Sequence, residues 1–222
     1  LCEIVNSVLN YDITTLNVVI TGDLVSGVIH DDLVETSEGT VVEASLIVGR
    51  FIAMLIARVS VLFDKVNVTG VVGNHGRLSK QRIHKNKWAD WDMVAMKIVQ
   101  AYLKDNEKIT VEFPPQSIIA LKISGCSYIL VHGDNFKGNG TTKFKNVLQN
   151  INTMLVNDGN RPAVSVITGH VHDAMYLNGA IISGGWPGAG EYAIDMGYTP
   201  NTPSQNFFIC EEYGPGFLYQ IP

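Results

Sequence analysis

The chain has 222 residues, 46% of them hydrophobic and 17% charged, which is ample for a buried core and excludes a disordered chain. Sixteen Lys and Arg against 21 Asp and Glu leave a net charge of −5, so the overall field does not attract nucleic acid or anionic membrane, and a polyanion partner needs a local basic patch. Three dispersed cysteines, Cys2, Cys126 and Cys210, argue against a disulfide framework and a thiolate zinc site, so a reducing, cytoplasmic setting is expected.

In chain order, the apolar spacing of Ile4, Val5, Val8 and Leu9 predicts a helix over Cys2–Asn10, and Leu16–Thr21 is a β-branched run ending at Gly22-Asp23. Glu43–Val66 is predicted as one long helix. Its apolar stretch 44–63 is interrupted by Arg50 and Arg58 and closed by Asp64; each central Arg would cost about 2.5–3.5 kcal/mol on insertion scales, so no membrane span is expected. Val68–Val72 is a second short run, ending at Gly73-Asn74-His75. A helix from Asp90 or Trp91 to Lys104 follows, then strands Ile109–Phe113, Ser117–Ile123 and Tyr128–Val131, the last ending at His132. A helix over Thr142–Val156 with Gly159 as its stop precedes the strand Ala163–Thr168, which ends at Gly169-His170-Val171-His172. Beyond it are strands Ala174–Ser183, Phe207–Tyr213 and Phe217–Ile221. The Gly- and Pro-rich segment 184–206 reads as a long loop suited to a lid or an oligomer contact. The whole, 1–222, reads as a single domain. The start at Leu1, with neither an initiator Met nor a leader, predicts further sequence upstream.

The informative pattern is positional. Asp23, Asn74 with His75, His132, and His170 with His172 each follow a short β-branched run, and four of the six histidines stand at these strand ends. In α/β sheets the crevice beyond the carboxyl ends of the strands is where ligands bind. A carboxylate, an amide and several imidazoles form a mixed oxygen and nitrogen set that suits Mn²⁺, Fe²⁺, Zn²⁺ or Ni²⁺.

The ordered set Gly22-Asp23, Gly73-Asn74-His75, His132 and Gly169-His170-Val171-His172 resembles the motifs of the calcineurin-like metallophosphoesterase family, across residues 22–172. The resemblance implies an α/β fold in which a two-sheet β-sandwich is flanked by helices, with two divalent metal ions at one sheet edge. It implies that Asp23 bridges the two ions, that Asn74, His132 and His170 complete the shell of one, that His172 binds the other, and that His75 is the general acid. Uncatalysed phosphate ester hydrolysis is so slow that enzymes supply up to about 10²¹-fold, while one positioned acid or base gives about 10²–10⁴, so metals would carry most of the load.

Two departures stand out. The family's upstream Asp-x-His motif does not occur in the chain, so the motif-bearing first strand is expected before Leu1, with His30, Asp31 and Asp32 weighed as a substitute. Gly76-Arg77 replaces the acidic residue that often follows the Asn-His pair, which leaves the partner of His75 open and offers Arg77 as a phosphate contact. Directly after it come Lys80, Arg82, Lys85 and Lys87 with Trp88 and Trp91, and Lys137, Lys143 and Lys145 follow His132. A backbone-binding patch with a stacking face favours a nucleic acid as the phosphodiester substrate, against the alternative of a solvated loop with packed tryptophans. The expected activity is that of a phosphodiesterase or nuclease similar to the repair exonucleases of this family. The rivals are a small-molecule or cyclic-nucleotide phosphodiesterase and a non-catalytic scaffold subunit.

Overall fold

A computed structural model describes residues 13–81, 85–136, 142–157, 162–177, 179–188 and 202–221. The predicted N-terminal helix, Gly159, Arg82, His84, Lys137 and residues 189–201 of the long loop lie outside them. The fold is mixed α/β with sheets flanked by helices, and the chain divides into two compact units, Leu1–Ser117 and Ile118–Pro222. No helix of the described residues is long and apolar enough to cross a membrane.

The first unit is a parallel three-stranded sheet in the order β1 (Thr15–Ile20), β2 (Lys65–Gly70), β3 (Ile109–Glu112). A short helix, α1 (Asp31–Glu35), and a long one, α2 (Val41–Ser60), connect β1 to β2; α3 (Trp91–Leu103) connects β2 to β3. Thr40 starts α2 with a reciprocal capping box: its hydroxyl accepts from the Glu43 N–H while the Glu43 carboxylate accepts from the Thr40 N–H. The apolar residues of the strands meet one face of each helix. Val66, Val68, Met96 and Val99 are almost completely buried in a core with Ile52, Ile56 and Phe63, each such side chain worth roughly 1.5–3 kcal/mol. At Gly49 an added Cβ would lie 2.6 Å from the Ala95 carbonyl oxygen and 2.9 Å from Ile98 Cβ, so α2 and α3 approach too closely there for any side chain.

The predicted long helix is shorter than expected. Val66 belongs to β2, because Leu62 and Phe63 donate to Val59 and Ser60 in a tightened last turn, and the N–H groups of Asp64 and Lys65 both turn to the Thr14 carbonyl at the head of β1. Helix α1, with His30 at its N-cap position, occupies a stretch for which the sequence predicts no helix.

The second unit is a mixed five-stranded sheet in the order β4 (Ile118–Ile123), β5 (Cys126–Val131), β6 (Ala163–His172), β8 (Ala180–Gly184), β7 (Met175–Leu177), together with a hairpin of β9 (Gln205–Glu211) and β10 (Gly214–Ile221). β5, β6 and β8 are parallel and β4 and β7 antiparallel to their neighbours. All six residues of β5 are buried, as suits a central parallel strand. Helix α4 (Thr142–Asn157) packs Phe144 and Leu148 against Ile129, Val131, Val166 and Ile182, and Asn152 exchanges two hydrogen bonds with the Ala163 backbone at the start of β6. The predicted single strand 174–183 is in fact a hairpin, β7 to β8, turning at Gly179 with φ +78°.

Candidate functional site

In the first unit the parallel pairing of β1 with β2, with Ile20 opposite Gly70, sets their carboxyl ends side by side. The loops that follow carry Asp23 and Asn74-His75. They are joined directly, since Asp23 Oδ1 accepts the backbone N–H of Asn74 at 2.7 Å and of His75 at 2.8 Å. Gly22 makes this approach possible: its φ is +91°, and a Cβ there would lie 2.4 Å from the Gly73 nitrogen, a backbone atom that cannot swing away.

A residue not singled out from the sequence holds both loops from beneath. Asp92, in the first turn of α3, is completely buried. Its Oδ2 accepts from the N–H of Asp23 and of Gly73, both at 2.8 Å, and its Oδ1 accepts from Leu24 at 2.9 Å. Three backbone donors on one carboxylate compensate for its burial. Asp90, the N-cap of α3, accepts from the Asp92 N–H at 2.6 Å. Burial first, and the Asp92 charge beside it second, push the Asp90 carboxyl up to about 7. The spacing Asp90-Trp91-Asp92 at a helix start signals capping in the sequence. The reach of Asp92 to residues 68 and 69 positions away is tertiary and has no local signature.

His75 is half-buried, and its ring stands 5.2 Å, centroid to centroid, from that of His30. Asp31 forms a surface ion pair with Lys80 at 2.6 Å, so one cation of the basic stretch is already matched. Arg77 forms a backbone bridge with Asp90; its side chain is half-buried, and its Nε makes no hydrogen bond among the described residues. Lys85 is exposed, Lys87, Trp88 and Trp91 are half-buried, and the Trp91 N–H donates to the Gly76 carbonyl at 2.8 Å. Lys143 lies over the Phe144 ring at 5.0 Å.

In the second unit β5 and β6 run parallel with Leu130 opposite Ile167, and this again sets two strand ends side by side. His132 is buried and His170 half-buried, with ring centroids 5.1 Å apart in an edge-on arrangement. The His132 carbonyl accepts both the Thr168 hydroxyl at 2.6 Å and the Gly169 N–H at 3.1 Å, which pins the two histidine-bearing segments together. Thr168 was likewise not singled out from the sequence. His172 is exposed at the end of β6, where its carbonyl accepts from Gly185. β6 thus runs beyond Thr168 through both histidines, but its register against β8 shifts between Thr168 and His172.

The reason is backbone conformation. Among the described residues five that are not glycine have positive φ: Asp23 (55°), Asn86 (55°), Ser124 (49°), His170 (64°) and His172 (64°). Ser124 stands in the hairpin between β4 and β5 and Asn86 in a surface turn. The other three are residues the sequence marks as metal donors. Left-handed backbone at such residues costs on the order of 1–3 kcal/mol each and concentrates at functional sites.

No protein-family model matches the chain, and none of the curated proteins does. Among solved structures, the crystal structure of wild-type Vps29 complexed with Zn²⁺ from Entamoeba histolytica is similar over 70% of this chain and 73% of that one, at 14% identity and a TM-score of 0.36.

Proposed function

We propose that this chain is a metal-dependent phosphoesterase of the calcineurin-like kind that hydrolyses phosphodiester bonds, with a nucleic acid as its substrate. The observation that supports this reading best is the left-handed backbone at Asp23, His170 and His172, since strain at three donor residues has no use in a fold that only packs them. The donor chemistry fits divalent cations. Asp23 supplies a carboxylate whose Oδ1 is fixed by two N–H groups, Asn74 an amide oxygen, and His132, His170 and His172 imidazole nitrogens, with the His132 segment held by Thr168 and Gly169. By the family resemblance, Asp23, Asn74, His132 and His170 would be donors to one ion, and His172 a donor to a second. Bound ions would polarise the phosphoryl oxygens and lower the pKa of a water nucleophile.

The chain's own residues supply the rest. His75, carried on the loop whose N–H groups are bound to Asp23, gives its proton to the departing ester oxygen, with His30 as its ring neighbour. Arg77 contributes a planar guanidinium for a phosphate oxygen. Lys85 and Lys87 follow on the same loop and offer charge for a polynucleotide backbone.

The test is hydrolysis with Mn²⁺ of bis(p-nitrophenyl) phosphate and of a single-stranded oligonucleotide. Both are expected to turn over. His75→Ala should slow the oligonucleotide by about 10²–10⁴ and the aryl ester far less, because p-nitrophenolate leaves without protonation. Lys85→Glu with Lys87→Glu should impair only the oligonucleotide. Mn²⁺ binding with neither ester hydrolysed would instead support a non-catalytic scaffold, and hydrolysis of the aryl ester alone would support a small-molecule phosphodiesterase.

A further inference from the structure

We propose that α2 pairs antiparallel with α2 of a second copy of this chain, making a two-fold homodimer; the inference is independent of the metal reading. One face of α2, with Ile52, Ala53, Ile56 and Val59, is buried in the core. Along the opposite face Ile47, Phe51, Met54, Arg58 and Val61 succeed one another in alternating steps of four and three residues, the spacing of a helix–helix seam. The four apolar members are 69%, 47%, 60% and 72% exposed. Val94 of the neighbouring α3 is also exposed. An apolar stripe of this length is uncommon on a monomer, and it explains why the segment looks like a membrane span in sequence.

The charges on the stripe identify the occupant. Glu43 lies near the N-terminal end, Arg58 near the C-terminal end and Arg50 in the middle, all exposed. A parallel pair would set Glu43 against Glu43 and Arg58 against Arg58. An antiparallel pair centred between positions 50 and 51 sets Glu43 against the partner's Arg58 and Ile47 against the partner's Met54. The two-fold axis repeats each contact, so the face is complementary to itself. Opposed helix dipoles add to the same preference. From Ile47 to Val61 the stripe spans about 21 Å at 1.5 Å per residue; a single helix pair of that length is small beside the roughly 2,000 Å² or more that permanent interfaces bury, so the dimer is reversible on dilution.

Sedimentation velocity of the full chain over a concentration series tests this. A monomer–dimer equilibrium is expected, weakened at least tenfold by Met54→Glu, whose exposed position leaves the circular dichroism unchanged and the melting temperature unchanged at concentrations where both chains are monomeric. Arg58→Glu and Glu43→Lys chains should each dimerise poorly alone and well when mixed, because only the mixture pairs opposite charges at both ends. A chain that is monomeric at every concentration, a dimer indifferent to Met54→Glu, or a mixture no better than its components would overturn the proposal. So would a monomer that binds phosphatidylserine vesicles through Met54, since the stripe would then be a membrane-binding face.

Discussion

Asp92→Asn removes charge from the residue that ties together the two loops carrying Asp23 and Asn74-His75. In the native chain the buried carboxylate accepts three backbone N–H groups, two on Oδ2 and one on Oδ1. Hydrogen bonds to charged groups are worth about 1.5–3 kcal/mol each. An amide keeps one oxygen, which can still serve Asp23 and Gly73, but its NH₂ then faces the Leu24 N–H, donor against donor. One charge-assisted bond is lost, one buried donor is stranded and two bonds become neutral. Relief of the repulsion with Asp90 offsets part of this, leaving a net cost of about 2–4 kcal/mol. Urea unfolding followed by circular dichroism reads the stability, and amide hydrogen exchange reads the local effect. Leu24 should lose protection most, with Asp23 and Gly73 following, while the core strand β2 exchanges only as fast as the lower global stability allows. A cost under about 1 kcal/mol with unchanged protection at Asp23, Leu24 and Gly73 would refute the view that Asp92 holds these loops.

Other expectations follow from the same geometry. Gly22→Ala should cost about 2–4 kcal/mol in thermal or urea unfolding, since the new Cβ meets the Gly73 backbone at a left-handed φ; a loss under 1 kcal/mol would show that the loop can shift aside. Asp90 has a folded pKa raised to about 7 by burial and by Asp92, so the folded state holds the proton more tightly than the unfolded one. Its contribution is most favourable below about pH 4 and declines as pH rises towards 7. Asp90→Asn keeps the N-cap and should therefore gain stability relative to the native chain at pH 8 but not at pH 4; equal differences at both would count against the assignment. Thr168→Val, nearly isosteric and fully buried, should lose about 1 kcal/mol or slightly more through the His132 carbonyl, which keeps only the Gly169 N–H. Lys80→Ala should change stability by less than about 1 kcal/mol, because its ion pair with Asp31 is exposed.

Much of this arrangement was legible because it is local. β-Branched runs mark β1, β2, β5 and β6, so the placement of Asp23, Asn74, His75 and His132 beyond strand ends is legible in the sequence, whereas β6 continues past the expected end at Thr168 through His170 to His172. The start of α3 at Asp90 or Trp91 was legible from its amphipathic spacing. The end of α2 was not, because Val61, Leu62 and Phe63 continue its apolar pattern, and what stops it is the Thr14 carbonyl drawing in the N–H groups of Asp64 and Lys65 from across the sheet. The hairpin at Gly179 was passed over although Asn178-Gly179 is a strong turn signal; the apolar residues on both sides made one strand look continuous. The clamp at Asp92 and the double hydrogen bond to the His132 carbonyl were out of reach of pattern reading, since each joins segments far apart in sequence and depends on buried donors meeting one acceptor. The pairing of α2 faces is intermediate: the apolar spacing is in the sequence, but only the structure shows which of its two faces is left in solvent.

Calorimetric titration of the metal-free chain with Mn²⁺, repeated with Asp23→Asn and with His132→Ala, tests the central claim most directly. The account predicts at least one stoichiometric site in the native chain and a tenfold or greater loss of affinity in each variant. No saturable binding by the native chain, or binding untouched by both substitutions, would contradict it.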